Sequence, residues 1–432
     1  MRYRNVYLRK NILYRMEIKR DKYLEKLISH QGNGLVKVIT GIRRSGKSYL
    51  LFSLFKKHLL AIGISQNHIL EFQLDDYANR EFRNPDNLYK YVKERLTDNS
   101  KYYILLDEVQ LLDHFEDVLN GFLRLENVEI YITGSNAKFL SKDIITEFRG
   151  RGDQIHVNPL SFGEFYSIKE GSPEKAWREY SIYGGLPPVV LCHGDAEKSE
   201  LLNRLLCETY LTDIIDRNGV KNDGELEDLL SILASCIGSP TNPNKLSNTF
   251  LSEKKVAISP NTIKLYIDYF CDSFLLYKAM RYDIKGRKYI GTPSKYYFSD
   301  LGLRNVRLNF RQNEPTHIME NVIFNELLYR GFNVDVGNVV QNIKGKDGTS
   351  ERKQLEVDFV CNLGDLRIYI QSAYSLPDRK KMEQEQNSLV KIDDSFKKLI
   401  VTMDNVSSYI NEKGIVIVNL FDFLLNEKLL VA

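Results

Sequence analysis

The sequence predicts a multidomain α/β protein that opens with a parallel sheet covered by helices on both faces. Two observations carry this. Short apolar runs at Leu35–Thr40, His68–Leu74, Tyr102–Leu106, Val128–Ile132 and Asp153–Val157 alternate with helical segments across residues 16–157. That alternation is the mark of parallel strands joined by crossover helices. The first run ends in a glycine-rich loop, and a dense apolar helix, Tyr49–Phe55, follows it directly. At 432 residues the chain has room for more than one domain. Its patterning changes after Asn158-Pro159 and again near residue 313.

The loop reads Gly41-Ile42-Arg43-Arg44-Ser45-Gly46-Lys47-Ser48, a complete G-x-x-x-x-G-K-S. Its glycines let the backbone curl so that successive N–H groups face phosphate oxygens. Lys47 is placed to reach the β and γ phosphates, and the Ser48 hydroxyl is a Mg²⁺ ligand. The positive end of the following helix adds to the same attraction. Arg43, Arg44, Ser45 and Tyr49 complete the stretch expected to contact ATP.

The third run ends in Asp107-Glu108. Asp107 is the expected second holder of Mg²⁺, which keeps much of its water. Glu108 is the expected general base for an attacking water. The fourth run ends in Thr133-Gly134-Ser135-Asn136. Polar groups at the C-terminal end of a parallel strand face the ligand crevice. Ser135 and Asn136 are candidates to sense the γ-phosphate or orient the water, with ordinary turn chemistry as the alternative. Arg149 and Arg151 follow a helical stretch, Lys138–Glu147. Arg151 is the preferred arginine finger, in cis or in a neighbouring subunit of a homo-oligomer; a basic surface turn is the alternative. Asp75 and Asp76 read as loop acids.

The balance of 60 Lys and Arg against 57 Asp and Glu gives +3, which decides nothing about nucleic acid. Cys192, Cys207, Cys236, Cys271 and Cys361 are scattered and odd in number, with no C-x-x-C. Neither a disulfide framework nor a zinc site is expected, and a reducing cytoplasm fits. No apolar run approaches the roughly 20 residues of a membrane span. Residues 1–15 carry Arg2, Arg4, Arg9, Lys10 and Arg15 without an acid. They read as a basic arm or as the product of an upstream start codon.

An ordered set of marks is similar to one family. Besides the loop it includes Leu106-Asp107-Glu108-Val109-Gln110, Ile132-Thr133-Gly134-Ser135 and Pro159-Leu160-Ser161-Phe162. Tyr183-Gly184-Gly185-Leu186-Pro187 and Lys295-Tyr296-Tyr297-Phe298-Ser299-Asp300-Leu301-Gly302-Leu303-Arg304 follow. Over nearly its whole length the chain resembles the prokaryotic AAA+-type P-loop ATPases of the AAA_14/DUF4143 family. The resemblance implies an AAA-like ATPase core, a winged-helix module and a nuclease-like C-terminal fold. It supplies no substrate.

Patterning supports the later modules independently. Residues 158–222 form a helical connector. Within 223–313, Gly224–Cys236, Lys245–Lys254 and a segment from Ser259-Pro260 to about Asp272 read as three helices, the last with a Ser cap and Pro in its first turn. A hairpin follows, Phe274–Tyr282 and Tyr289–Gly291, with Arg281, Lys285, Arg287 and Lys288 about its turn. Such a wing either lies on DNA phosphates or docks a protein.

Residues 314–432 order a helix, Ile318–Tyr329, before strands Phe332–Val336, Gln354–Cys361 and Leu366–Ile370. This order resembles the restriction-endonuclease fold. Glu320 and Asp358 stand where acids hold a metal, but Gln371-Ser372-Ala373 replaces Glu-x-Lys on the next strand. A domain that has lost its chemistry is expected, with Lys380 and Lys381 as candidates for a migrated lysine. The whole reads as an ATP- and Mg²⁺-dependent ATPase coupled to DNA or a partner protein. The alternative is a STAND-like signalling or chaperone-type switch acting on proteins alone.

Overall fold

Backbone groups that an apolar strand buries must find partners, and the predicted runs find them in one another. β1 (Val36–Thr40), β2 (Ile69–Gln73), β3 (Tyr102–Asp107), β4 (Val128–Thr133) and β5 (Gly152–His156) form an all-parallel sheet in the order β2-β3-β4-β1-β5. This computed structural model describes residues 17–134, 150–344 and 350–430. The basic arm 1–15 and the helix expected at Lys138–Glu147 lie outside them. Helix α1 (Asp21–Ser29) precedes β1. α2 opens at Lys47–Tyr49 and continues through a π-helical stretch, Leu50–Phe55, into Lys56–Ala61. α3 (Pro85–Arg95) is capped by the Asn84 side chain, which accepts the Asp86 and Asn87 amides. α4 (Phe115–Phe122) buries Val118, Leu119 and Phe122. These side chains pack with Val36, Val38, Ile104, Leu106, Ile130 and Ile132 from the strands.

Contacts divide the chain into two units. The first holds the residues up to Pro159 together with Leu186–Leu191 and Asp272–Phe274. In the second, α5 (Asp223–Ser235), α6 (Pro243–Thr249) and α7 (Pro260–Asp272) lead to a hairpin of β6 (Leu276–Asp283) and β7 (Lys288–Phe298). α8 (Leu301–Arg307) and α9 (Pro315–Tyr329) follow. Then come β8 (Asn333–Lys344), β9 (Ser350–Leu363), β10 (Leu366–Ala373), α10 (Arg379–Val390), β11 (Lys397–Thr402), β12 (Tyr409–Ile410) and β13 (Val416–Asn419). The strands make one mixed sheet, β12-β13-β11-β10-β9-β8-β6-β7.

The hairpin is therefore not a free wing. β6 runs parallel to β8, with Arg281 level with Val336 and Asp283 with Asn338. Strand β7 is also much longer than the three residues read from sequence. Pairing continues through Lys295-Tyr296-Tyr297-Phe298, so the first four residues of this family mark are strand and its last four open α8.

The remainder of this mark locks to the Tyr183-Gly184-Gly185-Leu186-Pro187 mark. Asp300 accepts the Gly185 amide at 2.7 Å on one oxygen and the Gly302 amide at 2.9 Å on the other. Gly184 sits at φ +73°, and a Cβ there would stand 2.2 Å from Asp300 Oδ1. Arg304, fully buried, donates to the carbonyls of Ala234 and Gln312, each at 2.9 Å. These residues hold the second unit together. Gly184→Ala should lower the melting temperature by several degrees, since strained backbone alone costs about 1–3 kcal/mol. Gly194→Ala, with nothing within 4 Å of the added carbon, should leave it nearly unchanged. Thermal unfolding monitored by circular dichroism checks both.

Candidate functional site: the phosphate-binding loop and its acidic partners

Parallel strands end together. Ile39 is level with Thr133, Leu106 with Ile132, Gln73 with Asp107, and Thr40 with His156. The glycine-rich loop leaves this shared edge directly after Thr40. Its path needs unusual backbone: Gly41 has φ +140°, Arg44 +64° and Gly46 +97°. At Gly41 a side chain is excluded twice, because a Cβ would stand 2.2 Å from the Val157 carbonyl oxygen.

Lys47 is buried at the start of α2 and donates to the Gly41 and Ile42 carbonyls, each at 3.0 Å. Burial pushes its ammonium down to about 8, against the pull of the Glu108 and Asp107 carboxylates. Those two acids thus act on Lys47 across the end of the sheet. Ser48 is half-buried and Arg44 exposed, while Ser45 is fully buried with no hydrogen-bond partner for its hydroxyl. The Tyr49 phenol lies by Ile18 and Glu17, where burial raises it.

Asp107 is buried, and one of its oxygens accepts the Thr133 hydroxyl. The same Thr133 oxygen accepts the Glu108 amide at 3.1 Å. Glu108 adopts φ +50°, a left-handed conformation unusual for its type. The Gln110 amide donates to its carboxylate. Strained backbone of this kind persists where surrounding structure enforces it, often at functional sites. Asp107 and Ser48 are hard oxygen donors, the chemistry Mg²⁺ selects.

Three residues absent from the sequence-predicted site belong to it. Thr133 opens the Thr133-Gly134-Ser135-Asn136 motif, whose candidates Ser135 and Asn136 lie outside the described residues. Arg20 is buried and donates to the Ser45 carbonyl at 2.9 Å and the Asn158 carbonyl at 2.7 Å. Its guanidinium lies 4.7 Å from the Tyr23 ring centre. No sequence signal singles out this strap under the loop, because Arg20 stands among Lys19, Asp21 and Lys22. His156 Nδ1 lies 3.0 Å from the Thr40 hydroxyl.

Arg151 is not brought to the loop. It precedes Gly152, which pairs with Val36 at the opposite end of β1. That places it roughly 16 Å along the strand from the loop edge. It is exposed there and bonds Asn120 at 3.4 Å. A finger in cis is thereby excluded. Arg149 lies outside the described residues. Asp76 caps a short 3₁₀ turn through the Ala78 amide at 3.0 Å, as a loop acid does.

The second unit holds the other acids. Glu320 on α9 and Asp358 on β9 converge, joined by Glu356. Gln371 accepts the Asp358 amide at 3.4 Å. The lysine at this centre is neither predicted candidate. Lys381 pairs with Glu385 on its own helix, and Lys295 from β7 enters the acids instead. Arg281 is likewise removed from the exposed basic set, since it bonds Asn338 and Gln354, each at 3.0 Å. The five cysteines are free thiols. No helix among the described residues is long and apolar enough to cross a membrane.

Comparison with known proteins agrees with this geometry. Residues 33–166 match the AAA domain family, and residues 174–314 match a domain of unknown function, DUF8612. The matching domain of unknown function is thus DUF8612, rather than the DUF4143 of the sequence resemblance. An uncharacterized protein of Haemophilus influenzae is 34% identical over 391 residues, 89% of this chain and 93% of its own. One from Methanocaldococcus jannaschii is 29% identical, over 80% of this chain and 76% of its own. The Walker-type ATPase of Pyrococcus abyssi aligns over 68% of this chain and 96% of its own, at 15% identity and TM-score 0.49. The chain belongs to the AAA-type P-loop ATPases, in the family that includes the Haemophilus protein.

The site has a pH signature. Burial, then the Lys47 charge, pushes the His156 imidazole from 6.5 down to about 4. The unfolded chain therefore takes up this proton first as pH falls, and folding loses stability between pH 6.5 and 4. Over that window, the melting temperature of the wild type should fall more steeply than that of His156→Asn. Parallel slopes would refute it.

Proposed function

We propose that this protein hydrolyses ATP in a Mg²⁺-dependent reaction. The observation that carries this is the meeting of Lys47, Asp107, Thr133 and Glu108 at one end of one sheet. Loop amides and Lys47 would bind the phosphates. Ser48 and Asp107 would hold Mg²⁺, which when bound neutralises charge on the phosphate oxygens. Thr133 fixes the Asp107 carboxylate and the Glu108 backbone. Glu108, positioned by that bond and by Gln110, would take the proton of the attacking water. Lys47→Ala should abolish nucleotide binding measured by calorimetry. Glu108→Gln should bind ATP normally yet turn over about 10²–10⁴-fold more slowly. Normal turnover in Glu108→Gln would move the base to another residue.

We further infer that the nucleotide state is coupled to nucleic acid. A cavity of about 680 Å³ in the second unit is lined by Lys285, Lys288, Arg352 and Lys391, and among the described lining residues Asp283 is the one acid. Asp283 already accepts the Gly286 amide at 3.0 Å. Like charges gathered in a concavity attract a polyanion. Reversing Lys285 and Lys288 to Glu should weaken DNA binding for all sequences alike. It should also flatten the log–log salt dependence by nearly one unit per lost phosphate contact. Unchanged affinity and slope in an anisotropy titration would favour a protein partner.

A further inference from the structure

Lys295 Nζ lies 2.9 Å from Glu320 Oε1, 2.8 Å from Glu356 Oε1 and 3.7 Å from Asp358 Oδ1. Lys295, Glu320 and Asp358 are all buried. The order of elements here resembles nucleases whose acids hold a divalent metal. In this chain those acids surround an ammonium. Among the described residues, no group of three His, Cys, Asp or Glu has the arrangement to hold a metal ion. The remaining contacts brace the same state. Tyr297 donates to Glu320 at 2.7 Å, and the Ser372 amide donates to Asp358 at 2.8 Å. Gly238 packs over Glu320, so that a Cβ there would stand 3.1 Å from its Oε1. A metal ion does not fit beside Lys295: two cations would share a few ångströms of low-dielectric interior.

We propose that the Lys295 ammonium occupies the cation seat of this nuclease-like centre. The domain is metal-free by construction, and the former metal ligands serve as a bolt between β7, α9 and β9. Three consequences distinguish this from an ordinary buried ion pair. The wild type takes no divalent ion at these acids. Removing the ammonium creates a place for one. The protein does not cleave DNA, whatever metal is supplied.

The test is Mn²⁺ binding by electron paramagnetic resonance on the full chain without nucleotide. Wild type and Glu320→Gln should give the same isotherm. Lys295→Met should gain one Mn²⁺ site that Glu320→Gln, added to it, removes. Without metal, Lys295→Met should melt roughly 6–20 °C lower, since breaking a buried pair leaves carboxylates uncompensated. Saturating Mn²⁺ should recover part of that loss in Lys295→Met and none in wild type. Should Lys295→Met fail to fold, Lys295→Met with Glu356→Gln removes one charge of each sign and carries the same measurement. Wild-type Mn²⁺ binding that Glu320→Gln abolishes would overturn the proposal. So would a folded Lys295→Met protein that gains no site, or wild-type DNA cleavage that Asp358→Ala abolishes.

Discussion

Thr133 stands at the end of β4, the strand between the loop-bearing β1 and the acid-bearing β3. Its hydroxyl group donates to Asp107, and its oxygen accepts the Glu108 amide. Strand order makes this necessary. β1 and β3 are not neighbours, so no backbone hydrogen bond fixes the acids against the phosphate loop. A side chain on the intervening strand must do so, and it must be short, with donor and acceptor on one atom. Threonine meets both needs and its branched Cβ suits a strand. The Glu108 conformation follows from the same bond, because its amide is turned toward β4 at the place where the chain leaves β3.

The loop is held from below as well. Arg20 bonds the carbonyls of Ser45 and Asn158, while Tyr23 accepts the Asn158 amide at 3.1 Å. Arginine suits this role since its fork of donors spans two acceptors. The strap joins the loop to the segment that ends the first unit. Displacement of the Ser45 carbonyl would therefore be felt at Asn158 and Pro159.

Much of this was legible in sequence. The loop and acid strand are local motifs, and the five apolar runs became the five strands. What escaped depends on contacts between distant residues. Arg151 looked well placed because it follows the fourth strand, but register with β1 sets it at the wrong end. Lys295 sits in a family mark that gives it no role, since its acids lie 25 to 63 positions away. Arg281 reads as a wing cation in sequence, but β8 joins β6, and Asn338 of β8 and Gln354 of β9 supply its amide partners.

Lys47 and Lys295, both buried, show how one residue type serves opposite ends. Burial disfavours the ammonium in each. At Lys47 burial prevails and the value falls to about 8. Its direct partners are neutral carbonyls, with the two acids acting as more distant charges. Such a cation is under-compensated, and in the proposed function a polyphosphate would supply what it lacks. At Lys295 burial is outweighed by Glu320, Asp358 and Glu356, which hold the ammonium above its ordinary value. That cation has no unmet demand, and an incoming metal would compete for ligands already taken. The difference lies in the number and proximity of carboxylates. It separates a lysine whose partners can be exchanged from one whose partners are fixed, and it is the reason the proposed chemistry of this chain is assigned to the first.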